Sequence, residues 1–262
     1  MNVQDVLPFV HQGNVVWTMT TKGYTKYTFN LVKWLQTKAN VKWKLCIVCC
    51  DTESDLFFRR ELIPHVFWKY DEKPRKTQDC MAAFGTPSFE VCNRDKVLIL
   101  EWFCLNFGRL GLKHSLYLDG DIVVQKDPWP LLLPLFVADG TNLLFQCDCN
   151  NGIEHTDCGV LCSGVIVTRH VSVSQGKLYE WDDAVWNASC RQDQLYIGAK
   201  IAAAPEKWPF RILSRRLFGN GGWQKSGAWE KDDEWCLLHY NQYISGSKRS
   251  AMQKAGHWLI PH

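Results

Sequence analysis

The stretch Ser115 to Pro130, SLYLDGDIVVQKDPWP, constrains this chain more than any other. A short apolar run, Leu116-Tyr117-Leu118, stops at Asp119-Gly120-Asp121, and a second run, Ile122-Val123-Val124, follows at once. Apolar residues over this length, bounded by polar ones, suit a buried strand better than a helix. In extended chain, side chains two residues apart point the same way, so Asp119 and Asp121 are predicted to aim both carboxylates at one spot. Gly120 between them lets a ligand or metal approach the backbone. Converging carboxylates repel unless a cation sits between them, and hard divalent ions prefer such oxygen ligands. The bland alternative is a strand end followed by a turn, where Asp and Gly are common for backbone reasons alone.

The segments around this stretch alternate. Asn14 to Thr20, NVVWTMT, reads as a first strand, and Lys44 to Cys50, KLCIVCC, as a central parallel strand ending at Asp51. Between them Phe29, Val32 and Leu35 share one face of a helix. Leu56 to Leu62 reads as helical. Lys69 to Phe89, broken by Pro74, Gly85 and Pro87, reads as a loop. Asn93 is placed to cap a helix running to about Phe107, with Gly108 and Gly111 ending it. Strand, helix, strand in this order implies an α/β sheet with helices on its faces, whose ligands bind beyond the carboxyl ends of the strands. Thr20-Thr21-Lys22, Asp51 and Asp119 would all lie there. After Pro130, Asn142 to Cys147 and Val160 to Thr168 read as strands, and Leu178 to Trp186 and Arg191 to Ala199 as helices. The segment WCLLHYNQYISGSKRS reads as a strand running into a polar loop. No repeat or linker divides the chain, so residues 1–262 are read as a single domain.

A formal net charge of +3 with no Lys/Arg block gives no argument for nucleic acid. No stretch approaches twenty uninterrupted apolar residues, the longest candidate, Leu131 to Ala138, being broken by Pro134. The first residues lack the basic start and apolar middle of a signal peptide, which points to a cytoplasmic enzyme or to a piece of a longer chain. The chain has twelve cysteines. Cys46, Cys49, Cys50 and Cys104 read as small buried hydrophobes. Cys147, Cys149, Cys158 and Cys162 cluster, but without the CxxC pairs of a zinc site, so reduced thiols are the expectation. Trp223, Trp229 and Trp235 would either stack on sugars or pack structurally, the second being preferred.

LYLDGDIVVQKDPWP resembles the metal-binding strand of GT-A-fold glycosyltransferases, whose pattern is apolar-D-x-D-apolar followed by D-P. The pattern is similar to that of the nucleotide-diphospho-sugar transferase domain of glycosyltransferase family 77, related to family 8. The resemblance implies a Rossmann-like α/β fold with a mixed, mainly parallel central sheet and helices on both faces. Residues 14–130 would form a nucleotide-binding half and 131–262 an acceptor- and sugar-binding half. It implies a metal-dependent, retaining transfer of sugar from a nucleoside-diphosphate donor to a glycan or other hydroxyl acceptor.

The same resemblance distributes roles. Asp119, Asp121 and His239, the last in LLHYNQYISGSKRS, would hold the metal. Mn2+ suits one imidazole with two carboxylates slightly better than Mg2+, which stays open. Gly120, Gly246 and Lys248 would meet the diphosphate. Thr20, Thr21, Lys22 and Tyr24 match a nucleotide-contacting turn, although Tyr24 would serve equally in packing. Arg94 and Lys96 match a basic pair near the diphosphate, or are solvated first-turn residues. Asp148, Ser163 and Gly164 would meet the sugar, with Cys162 standing where Asn is usual. Asp193 and Gln194 match a D-Q motif beneath the anomeric carbon, where Asp193 would stabilise positive charge or act as a nucleophile. Two rivals remain: a sugar-phosphate nucleotidyltransferase, for which TMTTKGYTK lacks the glycine-rich loop, and an inert nucleotide-sugar-binding module, for which Cys162 is the best argument.

Overall fold

The apolar runs become strands in the computed structural model, which describes residues 1–69, 86–137, 140–149, 160–170, 176–231, 234–243 and 246–261. In chain order they are β1 (Asn14–Thr20), β2 (Leu45–Cys49), β3 (Val66–Phe67), β4 (His114–Leu118), β5 (Ile122–Val124), β6 (Leu143–Cys147), β7 (Leu161–Arg169), β8 (Phe210–Ile212), β9 (Phe218–Gly219) and β10 (Leu237–His239). Seven of them form one sheet in the order β3-β2-β1-β4-β7-β6-β8, while β5, β10 and β9 form a second. In the larger sheet β7 alone runs against the rest, pairing antiparallel with both β4 and β6. The architecture is therefore the mixed, mainly parallel α/β sheet that the resemblance implies.

Strand alternation sends neighbouring residues to opposite faces, and both faces are covered. Val15, Trp17 and Tyr117 pack with Val97, Phe103 and Phe107 of the helix Pro87–Leu110. Val16, Leu116 and Leu118 pack with Leu31 and Leu35 of the helix Thr25–Thr37. Burial on both faces is why these strands read as unbroken apolar runs. Trp223 and Trp235 are buried and Trp229 packs beside them, in keeping with the structural reading of the tryptophans.

Several local expectations change. Asp119, Gly120 and Asp121 do not lie in extended chain. The backbone turns there, Ile122 N–H donating to Asp119 O at 3.3 Å, and carries the chain from β4 in one sheet to β5 in the other. The long helix starts at Pro87, not Asn93, because Thr86 accepts from Phe89 N–H and proline suits the first turn. It runs through Gly108 and ends at Leu110, with Gly111 left-handed at φ 63°. The expected helix Leu56 to Leu62 is Thr52–Arg60, capped by Asp51, and Leu62 falls outside it. Leu178 to Trp186 splits into Gly176–Tyr179 and Asp183–Ala188, since Asp182 caps the second through Ala184 and Val185 N–H. The polar segment after β10 is a helix, Gly246–Lys254, whose buried side chains are only Lys248 and Met252. Residues 70–85 of the expected loop lie outside the described residues.

Cys147 and Cys149 are disulfide-bonded, against the expectation of reduced thiols. Oxidised sulfur offers no thiolate, so the cysteine cluster is not a zinc site; Cys158 lies outside the described residues. Cys46, Cys49, Cys50 and Cys162 are buried free thiols. Among the described residues no helix is long and apolar enough to cross a membrane.

Candidate active site

At the carboxyl ends of β1 and β4 a cavity of about 440 Å³ opens. Of the residues singled out in the sequence, Thr20, Thr21, Tyr24, Lys96, Asp119, Gly120, Asp121, His239 and Lys248 line it. Asp51 braces one wall. Its Oδ2 accepts from Lys22 N–H at 2.8 Å and its Oδ1 from Ser54 N–H at 2.8 Å, tying the loops after β1 and β2 together.

The turn after β4 sets the two carboxylates, and β10, antiparallel to β5, brings His239 back against them. His239 Nε2 is 3.4 Å from Asp119 Oδ2 and 3.3 Å from Asp121 Oδ1. Ligand atoms of the three residues all lie within 4.8 Å of one another. Asp121 Oδ1 is buried without a well-aligned hydrogen bond, as a metal-ligating oxygen would be. Two carboxylates and an imidazole suit a divalent first-row cation.

The cluster is balanced by two lysines. Lys248 Nζ is 2.5 Å from Asp121 Oδ2 and 3.2 Å from Tyr24 Oη. Lys96 Nζ lies 3.3 Å from Asp119 Oδ1 and 2.6 Å from Asp193 Oδ2. Burial by itself raises the carboxyls of Asp119 and Asp121, but the charges of Lys96, Lys248 and His239 outweigh it and hold both well below the usual carboxylate range. Burial likewise pulls His239 down, and the adjacent carboxylates push it well above its ordinary value. Tyr117 stays a neutral donor, pushed up by burial and by the Asp119 charge, and donates to Asp119 Oδ1 at 2.5 Å.

The sequence pattern of the nucleotide-diphospho-sugar transferases matches residues 42–252, a span that includes both aspartates, both lysines and His239. The chain belongs to the nucleotide-diphospho-sugar transferase family. No curated protein matches it. Among solved structures, the glycosyltransferase GlyE of Streptococcus pneumoniae TIGR4 is 15% identical with a TM-score of 0.55, covering 96% of this chain and 61% of its own. This chain thus spans about three-fifths of that protein. The WbbM bifunctional glycosyltransferase is 11% identical with a TM-score of 0.52, covering 90% of this chain and 47% of its own. An active-site mutant of LgtC is 12% identical with a TM-score of 0.50, covering 95% and 97%. The likeness at these identities is one of fold, and the fold is GT-A.

Asp193 and Gln194 stand behind the cavity wall rather than on it. Asp193 is buried against Lys96. Gln194 donates to Asp148 Oδ2 at 3.0 Å and accepts from Ser163 N–H at 3.3 Å. Asp148 Oδ1 accepts in turn from Asn241 at 2.8 Å, so Asp148 links the start of the helix Asp193–Ala202 to the end of β10. The described lining includes neither Arg94 nor Lys22. Gly246 begins the last helix and is exposed.

The glycines have packing reasons. A Cβ on Gly120 would meet Thr28 Oγ1 at 2.6 Å and the Tyr24 ring at 3.0 Å. Cys162 Sγ lies 3.8 Å from His239 Nδ1. Sequence reading missed Asn241 and Gln242, which line the cavity, and Gln146, which holds His239. Asn241 sits two residues after His239, on the same side of an extended chain, a signal that was there to use.

Proposed function

We propose that this chain transfers a sugar from a nucleoside-diphosphate donor to an acceptor hydroxyl, with a divalent cation and with retention of anomeric configuration. The observation that carries the reading is the convergence of Asp119, Asp121 and His239 on one point of the cavity, flanked by Lys96 and Lys248. Those three side chains would hold Mn2+ or Mg2+, which when bound supplies positive charge to the leaving diphosphate. Lys248 and Lys96 add fixed positive charge on either side of the cluster, suited to an anionic donor. Tyr24, with Thr20 and Thr21, would meet the nucleoside end, and Asn241, braced by Asp148, the sugar.

Asp193 is the candidate for stabilising positive charge at the anomeric carbon. Its position behind the cavity wall, against Lys96, supports action through charge over covalent attack. Gln194, held by Asp148 and Ser163, orients rather than reacts. The disulfides of Cys147 and Cys149 support an oxidising compartment rather than the cytoplasm.

The test is a panel of nucleoside-diphosphate sugars incubated with Mn2+, with Mg2+ and after chelation, read for donor hydrolysis and transfer. Cation-dependent release of nucleoside diphosphate is expected. Consumption of nucleoside triphosphate with sugar phosphate would make the chain a nucleotidyltransferase, and binding without turnover an inert module.

A further inference from the structure

We infer that Gln146 is a positioning residue that fixes which nitrogen of His239 faces the metal. The inference rests on the metal-site reading above and deepens it.

Gln146 is fully buried. Its amide Nε2 donates to two backbone carbonyls of β9, Phe218 O at 3.2 Å and Gly219 O at 2.7 Å. Both are acceptors only, so the amide has one orientation, with Oε1 turned the other way. Oε1 meets His239 Nδ1 at 2.8 Å. A carbonyl-type oxygen accepts only, so Nδ1 carries a hydrogen, and Nε2 is the nitrogen left to face the point where Asp119 and Asp121 converge and to ligate a metal held there. The backbone supplies the aim. Pairing of β6 with β7 slips between Phe145, opposite Ile166, and Gln146, opposite Cys162. The extra residues lie on β7, and strand alternation turns Gln146 away from Phe145 onto the face of Leu144, which packs with Phe218 of β9 and Leu237 of β10.

Mn2+ affinity, read by paramagnetic resonance of the free ion, separates the outcomes. Gln146→Leu removes the acceptor and is expected to weaken Mn2+ binding 10- to 100-fold, the usual cost of losing such a partner. Gln146→Glu keeps an acceptor for Nδ1 but abandons both carbonyls of β9, so it is expected to bind Mn2+ more tightly than Gln146→Leu. If Gln146 served only to pack β9, the glutamate would be no better than the leucine. In a His239→Ala background, Gln146→Leu is expected to cost no further affinity, because its effect runs through the imidazole. An additive loss there, or Glu no tighter than Leu, overturns the inference. A wild type that binds Mn2+ with Gln146→Leu unchanged overturns it while leaving the metal site standing. A wild type that binds no divalent cation removes the metal reading and this inference together.

Discussion

Gly164 lies so close to His239 that a Cβ built on it would come 2.0 Å from the imidazole Cε1 and 2.9 Å from Asp119 Oδ2. Gly164 lies where the pairing of β7 with β6 is interrupted, but its carbonyl accepts from Asp119 N–H at 2.8 Å and Val165 beside it pairs with Leu118, which holds it against the end of β4. Gly164→Ala is therefore expected to push His239 off its position, weakening Mn2+ binding at least tenfold and destabilising the fold by roughly 1–3 kcal/mol. Titration of Mn2+ and a thermal melt of the variant check this. Unchanged binding would mean that His239 does not ligate.

The two aspartates are expected to behave differently despite their shared role. Asp121 is fully buried between Lys248 and His239, whereas the Asp119 side chain is 25% exposed. Removing Asp121 strands the buried Lys248 ammonium, a loss of about 3–5 kcal/mol in comparable pairs. Asp121→Ala should therefore lose both cation-dependent turnover and stability, and Asp119→Ala mainly turnover. Urea unfolding beside a donor-hydrolysis assay distinguishes the two, and equal stability of the variants would sink the contrast.

Asp193 tests the mechanism. If it stabilises positive charge at the anomeric carbon, the interaction exists mainly in the transition state. Asp193→Asn is then expected to lower kcat by two to four powers of ten, about 3–5 kcal/mol, with little change in donor KM. Gln194→Ala should cost less. The anomeric configuration of the wild-type product, read by NMR, should match the donor. An inverted product refutes retention, and a fully active Asp193→Asn moves the catalytic centre elsewhere.

His257 makes the fold acid-sensitive. Its Nδ1 shares a 2.7 Å hydrogen bond with Tyr240 Oη, and burial lowers its pKa from 6.5 to about 4. A folded pKa below the unfolded one means that this contribution is whole above pH 6.5, shrinks as pH falls, and is gone below the folded pKa. The shift corresponds to roughly 3 kcal/mol at most. His257→Gln keeps a partner for Tyr240 without titrating. Between pH 7 and pH 4, wild type is expected to lose about 2–3 kcal/mol more than this variant in urea unfolding. Equal losses would place the sensitivity in other groups.

Some of this was open to reading in the sequence. The buried strands β1, β2, β4, β6 and β7 fell within a residue or so of their apolar runs, because burial on both faces leaves an unbroken local pattern. Asp119 and Asp121 were recognisable because they stand between two apolar runs, and His239 because its segment resembles the family's. The polar helix Gly246–Lys254 was not, since only Lys248 and Met252 turn inward and so sparse a stripe has no visible period. Nor was the disulfide bonding of Cys147 and Cys149, because spacing does not record oxidation.

The sequence by itself singled out Asp119, Asp121 and His239 and put them beside the ends of apolar strands. Only the tertiary structure decided how they meet. The carboxylates converge through a turn between two sheets rather than through strand alternation. Lys248 pairs with Asp121 across 127 residues, and Gln146 reaches His239 across 93. Helical and strand periodicity carry information over only a few residues, whereas these contacts are set by sheet order and by the packing of the second sheet on the first. That is why Gln146, an ordinary polar residue in an apolar strand, shows its role only when β9 and β10 are packed against it.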